Sequence, residues 1–153
     1  MPDPTRDENK RKVDQLFDTC FNRGDLGLLD ELVSPDYIGA QGDRGPAGFK
    51  GIVAGLRTAF PDIHYTVDDV VADSDKVAVR WRWSGTHQGA FRAFPATHKS
   101  FSSTGTGIFR FQGGKIVAAT LETDRLGFLQ QMGVVPPDAV LNTRPSPSTV
   151  EKP

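Results

Sequence analysis

The chain is predicted to fold as a single α+β roll, in which a strongly bent antiparallel sheet, covered by three N-terminal helices, encloses an apolar pocket. Two observations carry this reading. Up to Phe60 the apolar residues recur at three- and four-residue steps, the period of a helix with one buried face; after Pro61 they alternate, the period of a strand. The last two alternating runs are joined by a glycine turn, so they form a hairpin whose register sorts the sheet residues onto two faces.

The first helix is read from Thr5-Arg6-Asp7-Glu8, which has the spacing of a capping box, through the apolar face Val13, Leu16, Phe17, Cys20 and Phe21 to Gly24. Asp25 then caps a second, short helix with Leu28, Leu29 and Leu32 facing inward. The third starts at Pro46, in the first-turn position that proline favours, buries Phe49, Ile52, Val53 and Leu56, and stops before Pro61. Residues 1–6 are polar and proline-containing and are expected to be loose, whereas 136–153 are rich in Pro and Ser without a period and are expected to be disordered. The domain proper is therefore 7–135.

Four strands are predicted. Ile63, Tyr65 and Val67 alternate with His64, Thr66 and Asp68, and Val77, Val79, Trp81 and Trp83 alternate with Ala78, Arg80, Arg82 and Ser84. Two more run near Phe101–Phe111 and Lys115–Thr123. Reading Gln112-Gly113-Gly114 as a three-residue loop with a bulge pairs Phe111 with Lys115, Phe109 with Val117, Gly107 with Ala119 and Gly105 with Leu121. One face then carries Val79, Trp81, Trp83, Phe109, Phe111, Val117, Ala119, Leu121 and Thr123, with Thr123 opposite Ser103. The other carries Arg80, Arg82, Thr104, Thr106, Arg110, Thr120, Glu122 and Asp124. A last short helix, Arg125 to Met132, packs Leu126 and Leu129 back onto the body.

Gly105, Gly107 and Ala119 remove bulk from the middle of an aromatic face, which reads as a pocket. Its walls would be Trp81, Trp83, Phe109, Leu121 and Thr123 from the sheet and Phe17, Phe49 and Leu56 from the helices. The same pattern also fits a filled core in which Trp81 and Trp83 occupy the missing volume. The two tryptophans suit either the stacking of a planar ring system or plain packing.

Composition narrows the partners. Lys and Arg total 18 against 19 Asp and Glu, so there is no basic footprint for nucleic acid. Cys20 is the lone cysteine and lies in a helical apolar stripe with no adjacent His; it reads as packing, and no intrachain disulfide can form. No apolar run approaches a membrane span, and Met1–Asp7 is too polar for a secretory leader, so a cytoplasmic protein is expected. Neither a metal-ligand spacing nor a phosphate-binding glycine loop follows any strand.

Several short motifs then follow one another in a telling order. They are Gly45-Pro46-Ala47-Gly48-Phe49, Ala59-Phe60-Pro61-Asp62, Val79-Arg80-Trp81, Gly85-Thr86-His87-Gln88-Gly89, Phe109-Arg110-Phe111 with Gly114-Lys115-Ile116-Val117, and Asp124-Arg125-Leu126-Gly127 with Gln131-Met132-Gly133. Over residues 8–135 this series resembles the SnoaL-like polyketide cyclase or ester cyclase family, within the nuclear transport factor 2-like superfamily. The resemblance implies a nuclear transport factor 2-like roll with a cone-shaped pocket, a homodimer, no cofactor, and a small hydrophobic, polyketide-like substrate of a biosynthetic pathway closed into a ring by an acid–base aldol step. Related folds isomerise steroids, open epoxides or only bind ligands.

Cyclases of that family carry a His on the penultimate strand and an Asp on the last. Those positions fall here on Gly107 and Leu121, neither of which can move a proton. The remaining candidates are His87, Tyr37 and Asp124. His87, at a strand end, suits a general base at the pocket mouth and equally a hydrogen-bonded structural His. Tyr37 offers a phenol donor or a packed ring. Asp124 matches a family aspartate and also the N-cap of the last helix. Glu122 with Arg80, Arg82 and Arg110 reads as a set of cross-strand ion pairs at a dimer interface. His64 and His98 are expected to face outward. A cyclase- or isomerase-type enzyme is the first reading, and a non-catalytic ligand-binding or dimeric scaffold protein of the same fold is the second.

Overall fold

The structure, a computed structural model, describes residues 4–136. The stretch expected to be disordered lies outside the described residues from 137 onward. Helix α1 (Pro4–Gln15) takes in Thr5, which lies within the helix and not at a cap; residues 4–6, expected to be loose, are helical. Glu8 pairs instead with Arg11, one turn on. The helix then widens into a π-helical segment, Leu16–Asn22, a rare geometry that concentrates near functional sites. It sets Phe17 and Phe21 edge to face at 4.8 Å. Its end is firmly tied: Arg57 Nη1 donates to the carbonyls of Phe21 and Asn22 at 2.7 and 2.9 Å. The Asn22 side chain also exchanges hydrogen bonds of 2.8 and 2.7 Å with the Tyr65 main chain.

Helix α2 (Leu29–Leu32) buries Leu29 and Leu32. Asp25 accepts from the Gly27 N–H at 3.1 Å, which makes a turn before the helix rather than a cap on it. Strand β1 (Val33–Ile38) was not expected, because Ser34-Pro35-Asp36 reads as a loop; it lies at the sheet edge, where proline is tolerated. Helix α3 (Gly45–Ala59) has Pro46 in its first turn and buries Phe49 and Val53.

The sheet order is β1-β5-β4-β3-β2, with β2 (His64–Asp73), β3 (Lys76–Thr86), β4 (Ser100–Gln112) and β5 (Lys115–Thr123) an antiparallel meander and β1 parallel to β5. The β4–β5 turn has two residues, not three. Gly113 and Gly114 both have positive φ, 60° and 78°, as a type I′ hairpin requires. Gln112 therefore pairs with Lys115 and Phe111 with Ile116, and Val117 then bulges out of register. Beyond the bulge Phe109 pairs with Ala119, Gly107 with Leu121 and Gly105 with Thr123, two residues from the expected register. Fully buried Ile116 takes the inner place expected of Val117. Ser103 pairs with Trp83 and does not face Thr123.

The core fills the space between the helices and the inner sheet face, with Val13, Leu16, Phe17, Phe49, Trp81 and Phe109 among its members. A second cluster of Phe60, Ile63, Phe101, Phe128 and Met132 forms where helix α4 (Arg125–Gln131) closes the roll. Phe128 and Met132 make the contact expected of Leu126, which is exposed. The Gln131 side chain clasps the Ser102 main chain with bonds of 2.8 and 3.1 Å. Among the described residues no helix is long and apolar enough to cross a membrane.

Candidate active site

A cavity of about 380 Å³, partly open to solvent, lies between the helices and the inner sheet face. The π-helical segment supplies Phe17 and Phe21, α3 supplies Phe49, Val53 and Leu56, and the sheet supplies Trp81, Trp83, Phe109, Leu121 and Thr123. All eight lining residues named from the sequence meet there. The volume does not come from the glycines, however. A Cβ on Gly105 would lie 2.5 Å from Trp81 Cε2 and 2.8 Å from its Nε1, and one on Gly107 would lie 2.5 Å from Leu121 Cδ2. Trp81 and Leu121 thus fill those two notches, as the filled-core reading supposed, and the open space lies between them and the helices.

Nor is Trp83 free to stack a planar ligand. Its ring is stacked with Tyr65 at 5.7 Å and with Phe128 at 6.1 Å, interplanar angles 19° and 8°, and Phe101 closes on it edge to face at 4.7 Å. Its role at the cavity is that of a rigid wall.

The polar groups at the cavity are two tyrosines, one carboxylate, Gln41, Thr123 and three arginines, Arg57, Arg92 and Arg125. Tyr37, at the end of β1, is 5% exposed and packs on Phe49 at 5.4 Å. Burial first, and the charge of Asp43 second, push its phenol up to about 12, so it stays a neutral donor around neutral pH. Its hydroxyl makes no hydrogen bond within the described residues. Burial likewise raises the Tyr65 phenol, against an opposing pull from Arg57. Asp43 is the only carboxylate among the described lining residues. It sits in the loop between β1 and α3, closed by a 2.8 Å bond from the Gly39 N–H to the Asp43 carbonyl. A Cβ on Gly39 would collide with the Asp43 carboxylate, and one on Gly48 would come within 3.0 Å of its backbone. Two glycines therefore make the seat for this side chain. Sequence reading passed over Asp43 because a loop residue has no period; the available signal was one Asp enclosed by Gly39, Gly42 and Gly45 just before a helix.

Two candidates do not reach the cavity. His87 is 1% exposed and packs on Phe60 at 5.3 Å, in the second cluster. The Thr97 N–H approaches its Nδ1 at 3.3 Å, with the Thr97 hydroxyl 3.0 Å away, so the His clamps the 87–99 loop. His87→Ala is expected to lower unfolding free energy by about 2–4 kcal/mol, because it empties a buried site and leaves the Thr97 N–H without its acceptor. Urea denaturation measures that cost, and ligand binding in the cavity should not change. Asp124 accepts from the Gly127 N–H at 2.8 Å and caps α4. It is spent on the helix terminus. His64 and His98 are exposed. Among the described residues no three His, Cys, Asp or Glu side chains gather where they could hold a metal ion.

The profile of the SnoaL-like polyketide cyclase family matches residues 11–132. Among solved structures, TsrD from Streptomyces laurentii is 26% identical with a TM-score of 0.80, over 88% of this chain and 100% of that one. IdmH from Streptomyces antibioticus, described as a candidate polyketide cyclase, is 31% identical with a TM-score of 0.68, over 82% and 99%. AclR from Streptomyces galilaeus, described as a candidate hydroxylase, is 27% identical with a TM-score of 0.75, over 90% of each chain. Comparison with curated protein sequences gives no match.

Proposed function

Because the chain belongs to the SnoaL-like polyketide cyclase family, we propose that it closes a ring in a small, hydrophobic, polyketide-like substrate bound in this cavity, without a cofactor. The observation that carries the reading is a largely aromatic cavity of about 380 Å³ that holds a phenol with no hydrogen-bond partner among the described residues. Aromatic walls favour a flat, oxygenated ring system and exclude water from its reacting end. They also hold an extended side chain folded back on itself, which supplies the proximity that an intramolecular aldol step needs. Tyr37 is placed to donate a hydrogen bond to the oxyanion that develops when the new carbon–carbon bond forms.

The test is incubation of purified protein with an anthraquinone bearing a β-keto ester side chain, followed by mass spectrometry. Aldol addition gives an isomer of unchanged mass, and loss of water then lowers it. Ring closure faster than in buffer supports the reading, and no acceleration across a panel of such esters overturns it. Ligand binding without turnover is the second reading, favoured by Gly107 and Leu121 standing where the family carries its proton-transfer pair. Quenching of Trp81 and Trp83 fluorescence with no product would select it.

The outer sheet face belongs to the same proposal as a homodimer interface in a cytoplasmic enzyme. Arg82, expected to join that interface, is already paired with Asp68 at 3.0 Å and holds that carboxyl below the usual range. Arg80 and Glu122 instead border a groove with Val71 and Ile108, which are 68% and 49% exposed. Exposed apolar side chains on a sheet face suit association. Sedimentation is expected to give a dimer for the wild type and a monomer for Ile108→Arg, with the circular dichroism of both the same. A wild-type monomer at micromolar concentration would refute it.

A further inference from the structure

The ring closure proposed above needs a base, and the sheet does not supply one. Gly107 and Leu121 face each other across β4 and β5, and neither can move a proton. His87 is buried in the second cluster, and Asp124 is the cap of α4. Asp62 is tied to Thr86 by bonds of 2.7 Å to the N–H and 2.7 Å to the hydroxyl. Glu122 lies on the outer face of the sheet.

We infer that Asp43, in the β1–α3 loop, is the catalytic base and that Tyr37, on β1, is its acid partner; both line the same cavity. This rests on the cyclase reading for its product but not for its proton chemistry. Three features of the structure support it. Asp43 is the one carboxylate among the described lining residues. It is half-buried, seated over Gly39 and backed by Gly48, so the side chain is held in place rather than free in solvent. It is also near enough to Tyr37 for its charge to act on the phenol.

The step balances within the pair. A C–H bond next to a substrate carbonyl breaks, its proton goes to an Asp43 carboxylate oxygen, and its electron pair becomes the enolate. The enolate carbon forms a bond to a second carbonyl carbon, whose π electrons move onto its oxygen. That alkoxide takes a proton from Tyr37, and the proton on Asp43 returns to the phenolate. Substrate and product are isomers, and both residues end as they began. The substrate class follows: an aromatic carrying a C–H acidified by an adjacent carbonyl, with a second carbonyl within folding reach.

Hydrogen–deuterium exchange isolates the first step. β-Tetralone in deuterium oxide, followed by proton NMR, reports removal of its acidic C–H without any ring closure. Wild type is expected to accelerate exchange over buffer, and Asp43→Asn is expected to lose that acceleration by about 100-fold or more, in line with general-base catalysis. Its melting curve and its fluorescence quenching by β-tetralone should match wild type, which shows that fold and binding are intact. Asp43→Glu should keep part of the activity. Exchange by Asp43→Asn at the wild-type rate, or no acceleration by wild type, would overturn the inference. Exchange that depends on Asp43 but no ring closure on the ester panel would uphold the base and remove the cyclase reading instead.

Discussion

Tyr37→Phe is expected to lower kcat for ring closure by about 10²–10³, the usual cost of removing one donor from a developing oxyanion, with little change in melting temperature. The ring of Tyr37 packs on Phe49, a contact that Phe preserves, and its hydroxyl has no hydrogen-bond partner in the described residues to leave orphaned. The pH dependence follows from the same burial. With the phenol raised to about 12, by burial first and Asp43 second, the neutral donor survives well past the pH of about 10 at which an exposed tyrosine ionises. The direction is that of a raised acid. The fold prefers the neutral phenol, so its contribution to stability is complete below the unfolded value and disappears as pH climbs through the folded one. Rate profiles should show no alkaline limb from this residue below pH of about 11. A limb near the ordinary tyrosine value that disappears in Tyr37→Phe would mean that the phenol is not shielded. Undiminished turnover by the variant would remove it from the mechanism.

Much of this cavity was legible in the sequence for a reason that the hairpin makes plain. The β4–β5 turn is one residue shorter than expected, and the bulge at Val117 adds one residue on β5. Two displacements of one residue sum to two, and a shift of two along a strand leaves every later side chain on its own face. Phe109, Leu121 and Thr123 therefore line the cavity in the wrong register and the right orientation. A single displacement would have turned Thr120 and Glu122 inward. What periodicity could not show is whatever has no period. β1 was hidden by Pro35, and Asp43 sits in a loop whose meaning lies in its glycine neighbours, whereas buried His87 keeps the inner-face parity of β3 one residue past its end. The capping box failed differently: Thr5 and Glu8 have the spacing, but Thr5 lies within the helix and not at a cap.

Gly105→Ala is expected to cost about 3 kcal/mol, the upper end for overpacking a filled site, whereas Gly107→Ala should cost less, about 1–2 kcal/mol. Both glycines occupy inner-face positions of β4, so the contrast rests on what their new methyl groups would meet. At 105 it meets the Trp81 ring at Cε2 and Nε1, 2.5 and 2.8 Å away. That indole is 3% exposed and has Phe17 in ring contact at 5.3 Å, so it cannot swing aside without moving the π-helical segment. At 107 the closest contact is Leu121 Cδ2, the far end of a side chain that is 43% exposed and can rotate, with the Thr120 carbonyl at 3.2 Å and Trp81 Cζ3 at 3.3 Å as looser neighbours. Urea midpoints of the two variants measure the difference. Trp81→Phe in the Gly105→Ala background is the decisive control. The smaller ring vacates the contested space, so the alanine should cost far less there than in the wild type, a coupling that independent sites would not show. Equal costs at 105 and 107, or an alanine cost at 105 unaffected by Trp81→Phe, would refute the packing assigned to Trp81. Because Trp81 walls the cavity, Gly105→Ala should also weaken ligand quenching. Stability and binding thus fail together at the glycine the indole packs against most closely.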